Sequence, residues 1–412
     1  MSAKKQKRAA CVFYDINGIL VIVNMRGNPM FIFAFLLTIF CSSCSTSGVP
    51  ENNVISTESG DVRFRVETVA TGLEVPWGFA WLPNKDLLVT ERPGRVRIVE
   101  SGKLRAEPVY TVPDVEPSSE SGLMDVSIHP EFAKNNFIYL AYSYNKDGKR
   151  VRVMRYKYAG GKFTEPKVVI EDIPGAPNHA GMRARFGPDG KLYITTGDST
   201  DWTLAQKLDS LAGKTLRLND DGTVPQDNPF VKTPGARPEI WTYGNRNPQG
   251  IAWQPGTGLT FQTEHGPSFF EGKGSGGDEV NILEKGKNYG WPEIHHTDKK
   301  EGMESPLLEY SPACAPGSAM FYNATAFPGF GGNFFFGCLR GARIIRVVLE
   351  GRKVVRQENL LEGTVGRIRE VGQGPDGFIY FSTSNRDGRG NAAKDDDRIM
   401  RLVPDDTKKS DE

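Results

Sequence analysis

The feature that most constrains the fold of this chain is a strand–turn–strand–loop–strand unit that recurs along most of its length. The stretch 177–198 (PNHAGMRARFGPDGKLYITTGD) shows the unit well, because two runs rich in β-forming residues flank the turn GPDG at 187–190. Proline presets φ in such a turn, aspartate caps its own backbone, and glycine adopts positive φ. The six units are 79–91 with 95–100, 125–144 with 150–158, 183–198 with 215–218, 250–265 with 279–283, 319–337 with 343–349, and 370–385 with 398–403.

This repeat predicts an all-β fold: a six-bladed β-propeller of four-stranded antiparallel blades, over residues 65–404. The units are spaced by about fifty residues, which is typical of propeller blades, and a radial arrangement of blades leaves few open sheet edges. A pair of β-sandwiches would not repeat so regularly, and a β-helix has a far shorter repeat. Helical periodicity is nearly absent, with 204–211 as the one short candidate.

The balance of charge argues against a nucleic-acid partner. The 412 residues include 51 Lys and Arg against 50 Asp and Glu, which gives a formal net charge of +1. A nucleic-acid-binding protein would show a basic stripe or patch, and nothing in this sequence indicates one.

The N-terminal sequence predicts export. Within 25–44, the apolar run 30–40 follows Arg26, is too short to span a bilayer, and is followed by small residues and Cys44. This order is that of a signal peptide, and it resembles a bacterial lipoprotein signal with Cys44 as the lipidated residue; a plain secretory signal is the alternative. We therefore expect the protein in the periplasm or on the outer surface, held there by a lipid anchor.

The other segments outside the repeat have simpler interpretations. Residues 1–24 are an over-extended start or a removed segment, 45–64 are a linker, and 405–412 are a charged tail. Two cysteines, Cys314 and Cys338, remain in the predicted mature body. In an oxidising compartment two such thiols pair, whereas unpaired they behave as small buried hydrophobes, and the sequence leaves both possibilities open.

Strand order predicts that the chemically interesting polar residues collect on one rim of the propeller. In a hairpin, the residues before the first strand and after the second lie at the same end, away from the turn. Loops on a rigid scaffold are where function usually sits. The candidate residues in these loops are Glu120, Asn178, His179, Arg246, Asn247, His265, Arg340, Arg367 and Arg369.

Several runs of the sequence resemble one enzyme family. The runs VPWGFAW, GLMDVSIHPEF, FGPDGKLYITTGD, GKTLRLNDDGTVPQDNPF, YGNRNPQGIAW, TEHGP, GGDEVNILEKGKNYGWP and GRIREVGQGPDG are similar to those of the quinoprotein aldose sugar dehydrogenases. These form the soluble glucose/sorbosone dehydrogenase family, six-bladed propellers that use pyrroloquinoline quinone (PQQ) and calcium. The resemblance extends over residues 66–404.

The resemblance implies that His179 is the general base that removes the proton of the anomeric hydroxyl while hydride leaves for the quinone. Imidazole suits this role because its pKa lies near the operating pH, and such a base typically contributes about 10²–10⁴-fold. Asn178 stands where close relatives carry Asp, and Glu120 where relatives often carry a Gln that contacts sugar and quinone. We expect both to contact the substrate, although the Glu120 carboxylate would repel an anionic cofactor unless it is protonated or paired.

The resemblance also assigns residues to the cofactor, namely Arg246, Asn247, Arg340, Arg367 and Arg369. Arg246 is expected near the quinone oxygen, where a fixed cation stabilises developing negative charge. Arg367 and Arg369 alternate at a strand start and therefore share a face. Two adjacent arginines require an anion between them, which a tricarboxylate supplies; the alternative is ion pairs with Glu362 and Glu370.

By the same resemblance, the backbone carbonyls of Gly266 and Pro267 are expected to bind calcium, with the quinone supplying the remaining ligands. Hard oxygen ligands suit calcium, and the ion would polarise the reacting carbonyl as a Lewis acid. Asp278 and Glu279 are interpreted as structural support beneath this loop.

The predicted function is that of a quinoprotein dehydrogenase that oxidises the anomeric hydroxyl of aldose sugars to the lactone, with calcium-assisted hydride transfer to PQQ. The expected partners are an aldose and an external electron acceptor of the respiratory chain, with no nucleic acid and membrane contact only through the lipid anchor. The alternative is a non-catalytic propeller that binds carbohydrate or protein at the same rim, which Glu120 and Ala313 favour. A calcium-dependent lactonase is a third option, but its site would want several acidic side chains, and this rim is mostly basic.

Overall fold

The computed structural model describes residues 53–405 and, near the N-terminus, two short strands. These strands, Cys11–Tyr14 and Leu20–Val23, pair as an antiparallel hairpin within a separate unit, residues 1–45. The predicted signal peptide over 25–44, its lipidated Cys44 and the tail after residue 405 lie outside the described residues.

Within residues 53–405 the strands form six antiparallel sheets, as the repeat predicts. We number these sheets as blades 1–6 in chain order. Blade 1 contains Pro76–Trp81, Leu87–Glu91 and Arg95–Glu100, with Lys103–Leu104 and Tyr110–Thr111 both pairing with the third strand. Blade 2 contains Leu123–Ile128, Phe137–Asn145, Lys149–Ala159 and Lys162–Pro174. Blade 3 contains Gly181–Phe186, Leu192–Thr196, Lys214–Leu218 and Ile240–Tyr243.

The second half of the ring repeats this pattern. Blade 4 contains Pro248–Trp253, Thr260–Glu264, Asp278–Leu283 and Leu308–Tyr310. Blade 5 contains Pro316–Phe321, Phe334–Cys338, Arg343–Glu350 and Lys353–Leu360. Blade 6 contains Ile368–Gln373, Ile379–Thr383 and Ile399–Pro404, completed by Arg63–Ala70 and Ile55–Ser56 from the N-terminal side of the chain.

Blade 6 closes the ring by pairing the two ends of the propeller sequence. Arg63–Ala70 lies antiparallel to Ile399–Pro404, with Val66 opposite Leu402. Such pairing leaves no open sheet edge where the first and last blades meet. Because Ile55–Ser56 also pairs with Arg63–Ala70, the last part of the linker predicted over 45–64 belongs to blade 6, which corrects the predicted boundary.

The first strands of the six blades contact one another in a closed ring around the axis. Apolar residues of adjacent blades pack face to face outside this ring, as Phe335 of blade 5 does with Phe381 and Met400 of blade 6. Burial of alternating apolar residues on both faces of each blade is what holds neighbouring sheets together. The ring fixes where each first strand starts, and so brings the loops before the first strands to one rim.

Helices are few among the described residues. They are one turn of α-helix, Phe132–Asn135, and three 3₁₀ turns, Trp202–Leu204, Phe269–Glu271 and Pro328–Phe330. The helix predicted over 204–211 does not form beyond Leu204. Across the part of the chain that the structure describes, none of these helices has the length and apolar character needed to cross a membrane.

The two cysteines of the body lie in blade 5 and in the loop before it. Both Cys314 and Cys338 are free thiols and buried. A side chain at Gly341 would lie 3.1 Å from Cβ of Cys314 and 3.2 Å from Cβ of Cys338. They pack there as small apolar residues, the second of the two interpretations that the sequence leaves open.

Candidate active site

His179 lies in the loop between blades 2 and 3, and its ring is oriented by a carboxylate. Its Nδ1 lies 2.8 Å from Oδ1 of Asp198, and the other oxygen of Asp198 accepts a 2.9 Å hydrogen bond from the indole of Trp291. An ionised carboxylate only accepts hydrogen bonds, so Nδ1 carries the hydrogen and donates it to Asp198, and Nε2 keeps its lone pair. His179 therefore has the tautomer of a general base.

The backbone of His179 is held in an unusual conformation. Its φ is 56°, in the left-handed region that costs energy for a residue with a side chain. Its N–H donates to Oε2 of Glu120 over 3.2 Å, and its carbonyl accepts from the N–H of Ser199 over 3.2 Å. A Cβ at Gly197 would lie 1.9 Å from that carbonyl oxygen, so only glycine fits there. The surrounding loops thus fix the position of the imidazole.

Glu120 is paired, which answers the repulsion expected from a carboxylate at this place. Oε1 accepts from Nη1 of Arg389 over 3.0 Å, and Oε2 accepts from Nδ2 of Asn247 over 3.1 Å. Burial alone would raise the pKa of this carboxyl, but its electrostatic interactions with His265, His179 and Arg389, together with the hydrogen bond from the His179 N–H, lower its pKa to about 2. Glu120 is therefore ionised and compensated.

Arg246 lies in the loop before blade 4, and its charge is balanced by a carboxylate. Its Nε and Nη2 donate to the two oxygens of Glu271 over 3.1 and 2.8 Å, and Nη1 donates to the carbonyl of His265 over 3.2 Å. The guanidinium also lies over the ring of Trp291, 5.6 Å from its centroid. A bidentate pair of this kind holds the side chain rigidly beside the site.

Glu271 belongs to the loop 268–277, which carries two exposed aromatic side chains. Phe269 and Phe270 are 84% and 83% exposed. The pair between Glu271 and Arg246 anchors this loop, so the two rings are presented at the mouth of the site.

Arg367 and Arg369 have an anion between them, and it is a side chain of the protein. Nη2 of Arg367 lies 2.7 Å from Oδ2 of Asp387, and Nη2 of Arg369 lies 3.9 Å from the same oxygen. The alternative prediction, that Arg367 and Arg369 form ion pairs with Glu362 and Glu370, is wrong. Glu362 pairs with Arg343, and Glu370 pairs with the arginines of blade 3.

The two arginines differ in depth. Arg369 is fully buried, its Nη1 donates to Oε1 of Gln249 over 3.0 Å, and burial lowers its pKa to about 10. Its guanidinium lies 5.0 Å from the ring centroid of Trp77. Arg367 instead lines the larger cavity of this rim, so only one of the pair is open to it.

Two adjoining cavities of about 450 and 310 Å³ open on this rim, and we call them together the rim cavity. Both are lined by Glu120, His179, His265, Ser268, Ala315 and Arg340. The larger is also lined by Asn178, Thr200, Phe270, Leu339, Arg367 and Arg389. The smaller is also lined by Arg246, Gly266, Pro267, Phe269, Ser275, Asp278 and Ala313. The structure therefore brings together the predicted site residues, except that Asn247 and Arg369 lie just beneath the cavity.

Arg340 is the cation of the rim cavity without an ionic partner. It is exposed, and among the described residues no carboxylate lies within ion-pairing distance of it. The other cavity arginines are compensated by Glu120, Glu271 and Asp387. An anionic ligand with several carboxylates fits such a lining, because Arg340 supplies an uncompensated charge and Arg367 lies beside it.

The backbone around Gly266 presents carbonyl oxygens at the smaller cavity. Gly266 and Pro267 line the smaller cavity. The Gly266 carbonyl has no hydrogen-bond donor within residues 53–405, whereas the Pro267 carbonyl accepts from the N–H of Gly276 over 3.4 Å. The carboxylate of Asp278 accepts from the N–H groups of Gly266 and Ala315 over 2.8 and 2.6 Å, so it supports the loop as the sequence predicts. In the described part of the chain no cluster of three or more acidic, histidine or cysteine side chains forms a metal site. A cation here would depend on backbone oxygens.

A third cavity, of about 320 Å³, lies between blades 1 and 6, away from the rim cavity. Its lining includes three charged side chains, Lys85, Asp376 and Arg401, of which Asp376 and Arg401 pair with each other over 3.2 Å beside Tyr380. It has no histidine in its lining, so it offers no comparable acid–base group.

Four residues that contact the predicted site residues are not among the candidates from the sequence. Asp198 and the pair Asp387 and Arg389 follow the second strands of blades 3 and 6, so the same strand-order rule would have placed them on this rim. Glu271 lies in a long loop, and no sequence signal indicates that it reaches Arg246.

The fold and the site define a class of protein: a six-bladed β-propeller with a histidine–aspartate pair facing an arginine-lined cavity on one rim. Comparison with known proteins agrees with this class. Residues 73–400 match the family model described as Glucose / Sorbosone dehydrogenase. The aldose sugar dehydrogenase YliI of Escherichia coli is 36% identical over 374 residues, covering 86% of this chain and 96% of that protein.

Solved structures agree with the sequence relatives. A putative oxidoreductase (glucose dehydrogenase) from Thermus thermophilus has a TM-score of 0.77 and 42% identity, covering 82% of this chain and all of that one. The PQQ-bound aldose sugar dehydrogenase of Streptomyces coelicolor has a TM-score of 0.73 and 35% identity, covering 83% and 98%. The chain belongs to the glucose/sorbosone dehydrogenase family, and it is an oxidoreductase of that class.

Proposed function

We propose that this protein is a PQQ-dependent aldose sugar dehydrogenase, which oxidises the anomeric hydroxyl of an aldose to the lactone with hydride transfer to PQQ. The observation that carries the proposal is the His179–Asp198 pair, which faces a cavity where Arg340 has no ionic partner among the described residues. The relative of known structure from Streptomyces coelicolor binds PQQ, and family membership supports the same cofactor here.

The residues present fit this cofactor and a calcium ion. Arg340 and Arg367 would hold carboxylates of PQQ, with Arg369 and Asn247 supporting them from beneath. The carbonyl oxygens of Gly266 and Pro267 would bind calcium. When bound, PQQ supplies a two-electron acceptor and calcium a Lewis acid that polarises its reacting carbonyl.

His179 acts on the substrate as the base. Nε2 takes the proton of the anomeric hydroxyl, and Asp198 stabilises the imidazolium that forms, because its carboxylate already accepts the hydrogen on Nδ1. Asn178 and Glu120 flank His179 and bind the hydroxyl groups of the sugar. Arg246 serves as a fixed hydrogen-bond donor beside the reacting atoms, with its charge balanced by Glu271.

We place the protein in the periplasm or on the outer surface, anchored through a lipid on Cys44, with the propeller, residues 55–404, as the catalytic domain. Electrons then leave to an external acceptor of the respiratory chain. The signal-like sequence over 25–44 supports this localisation.

The test is reconstitution. Purified protein loaded with PQQ and calcium is expected to reduce an artificial dye when aldoses are added, and protein without PQQ is not. If the loaded protein turns over no aldose although it binds PQQ, the proposed activity is wrong.

A further inference from the structure

Arg389 comes from the loop after the second strand of blade 6 and reaches across the rim to the loops before blades 2 and 3. Its Nη1 donates to Oε1 of Glu120 over 3.0 Å. Its Nη2 donates to Oγ of Ser119 over 3.0 Å and to Oδ1 of Asn178 over 2.8 Å. The side chain is 46% exposed and lines the rim cavity. One guanidinium therefore connects three blades.

The loop that carries Arg389 is itself fixed. Oδ1 of Asp387 accepts from the backbone N–H of Arg389 over 2.9 Å, while Oδ2 of the same carboxylate pairs with Arg367 over 2.7 Å. A Cβ at Gly390 would lie 2.7 Å from both Cδ of Arg367 and the carbonyl oxygen of Asn385. Close packing of this loop holds the Arg389 backbone in place, so the reach of the side chain is set by the fold.

Through Glu120, Arg389 acts on the backbone of His179. Glu120 offers one oxygen to Arg389 and the other to the N–H of His179, at 3.0 and 3.2 Å. That N–H belongs to a residue with a φ of 56°, a conformation that persists only where neighbours hold it. A charge-assisted contact that fixes the carboxylate thus also fixes the loop of the base.

Arg389 also sets the orientation of the Asn178 amide. A guanidinium only donates hydrogen bonds, so the oxygen of Asn178 must face it. The hydroxyl of Ser119 donates to the same oxygen over 2.7 Å. The Asn178 NH₂ group is therefore turned away from both, and Asn178 and Glu120 line the rim cavity side by side.

We propose that Arg389 is a positioning residue of the sugar site, which holds the Glu120 carboxylate, the Asn178 amide and the His179 backbone in one arrangement. The proposal rests on the proposed sugar oxidation and deepens it. Because contacts to a charged group are worth more than neutral ones, R389M is expected to lower kcat/KM for aldoses by about 10- to 100-fold. R389K keeps the charge but loses the fork that reaches three acceptors at once, so it restores only part of the rate.

Two readouts separate positioning from a general effect on folding. Loss of Arg389 removes a cation beside Glu120, so the pKa of this carboxyl rises. Because Glu120 must be ionised to hold the His179 loop, the acid limb of the kcat/KM profile shifts to higher pH in R389M. Amide hydrogen exchange, measured by mass spectrometry on protein without cofactor, becomes faster over 177–181 in R389M and stays unchanged in R352M. Arg352 is the matched control, because it pairs with Glu284 on the surface away from the rim cavity.

The outcomes are distinct. Faster exchange over 177–181 with a lower kcat/KM supports the proposal. If exchange over 177–181 is faster in R389M but the wild-type protein oxidises no aldose, the positioning role is supported and only the proposed function is overturned. Unchanged exchange together with an unchanged pH profile and rate in both R389M and R389K overturns the positioning role.

Discussion

Arginine side chains have different roles in two regions of this propeller. Near the axis, Arg183 and Arg185 share the carboxylates of Asp125 and Glu370, with Arg183 at 3.0 and 2.5 Å from them. We call these four residues the axial cluster; they lie on the first strands of blades 2, 3 and 6. At the rim, Arg340 is exposed and has no ionic partner among the described residues. Charges in the axial cluster compensate each other, whereas Arg340 is available to a ligand.

The difference follows from solvation. A buried charge without a partner costs several kcal/mol, and in the axial cluster two cations and two anions lie in contact. A charge at the mouth of a cavity stays hydrated and persists without a partner, at the cost of like-charge repulsion with its neighbours. An arginine therefore indicates a binding site where no carboxylate of the protein balances its charge. A high number of arginines is not by itself such an indication.

The largest expected effect of a rim substitution is on the chemistry. H179A removes the proposed base, so we expect kcat to fall by about 10²–10⁴-fold while PQQ binding and the melting temperature stay near wild type. Steady-state kinetics with a dye, alongside a binding titration, measure this. An H179A enzyme with wild-type kcat would show that another group takes the proton.

A substitution in the axial cluster is expected to lower the free energy of unfolding. R183M leaves Asp125 and Glu370 with one cation fewer in a buried site, and breaking such a pair costs about 3–5 kcal/mol. Urea unfolding gives the free energy of unfolding directly. R352M serves as the control, because its surface pair with Glu284 is worth about 0–1 kcal/mol. Equal stability of the two variants would mean that the cluster is not the compensated network described above.

The opposite pattern is expected at Arg340. R340M removes an exposed cation that pairs with no carboxylate of the described residues, so the free energy of unfolding changes little. The Kd for PQQ is expected to rise by about 10- to 100-fold, the loss of one charge-assisted contact, and this contact weakens as salt is added. Fluorescence titration at two salt concentrations measures both effects. An unchanged Kd would remove Arg340 from the cofactor site.

The smallest effect concerns Glu120 and pH. The pKa of Glu120 lies at about 2 in the folded protein, because His265, His179 and Arg389 surround the carboxylate. The ordinary pKa of a glutamate carboxyl, which applies in the unfolded chain, is 4.5. A lowered pKa contributes stability that is present above pH 4.5 and is lost as pH falls towards 2. With an allowance for solvent in the cavity, we expect this contribution to be about 1–2 kcal/mol.

E120Q tests this by unfolding at pH 7 and pH 3. The variant should be less stable than wild type at pH 7, and the difference should shrink at pH 3. A difference that is the same at both values of pH would mean that Glu120 gains nothing from its charged neighbours.

The fold is predictable from sequence because its signal is periodic. Turns such as the one at 187–190 fix each hairpin, and the six repeats fix the number of blades. The pairing of Ile55–Ser56 is not predictable, since two residues with a weak β signal gain their place only from the edge that blade 6 leaves.

The site is predictable in part, and the reason is the same strand order. Residues adjacent to strand ends, such as His179 and Arg340, reach the rim wherever their blade lies. Partners that depend on how far a loop folds back are not predictable. Glu271 reaches Arg246 from 25 residues further along the chain, and Asp387 lies between Arg367 and Arg369, where the resemblance places a cofactor carboxylate and the alternative places Glu362 and Glu370. Loop geometry, unlike strand period, is not written in local residue spacing.

The most direct test of the central claim, that an anionic quinone and a histidine base meet in the rim cavity, is an anaerobic absorption spectrum. Protein loaded with PQQ and calcium receives an aldose without any dye. We predict that the bound quinone becomes reduced in the wild type within the mixing time of the cuvette, and far more slowly in H179A. A wild-type protein that binds no PQQ, or whose bound quinone stays oxidised with every aldose, would contradict the account.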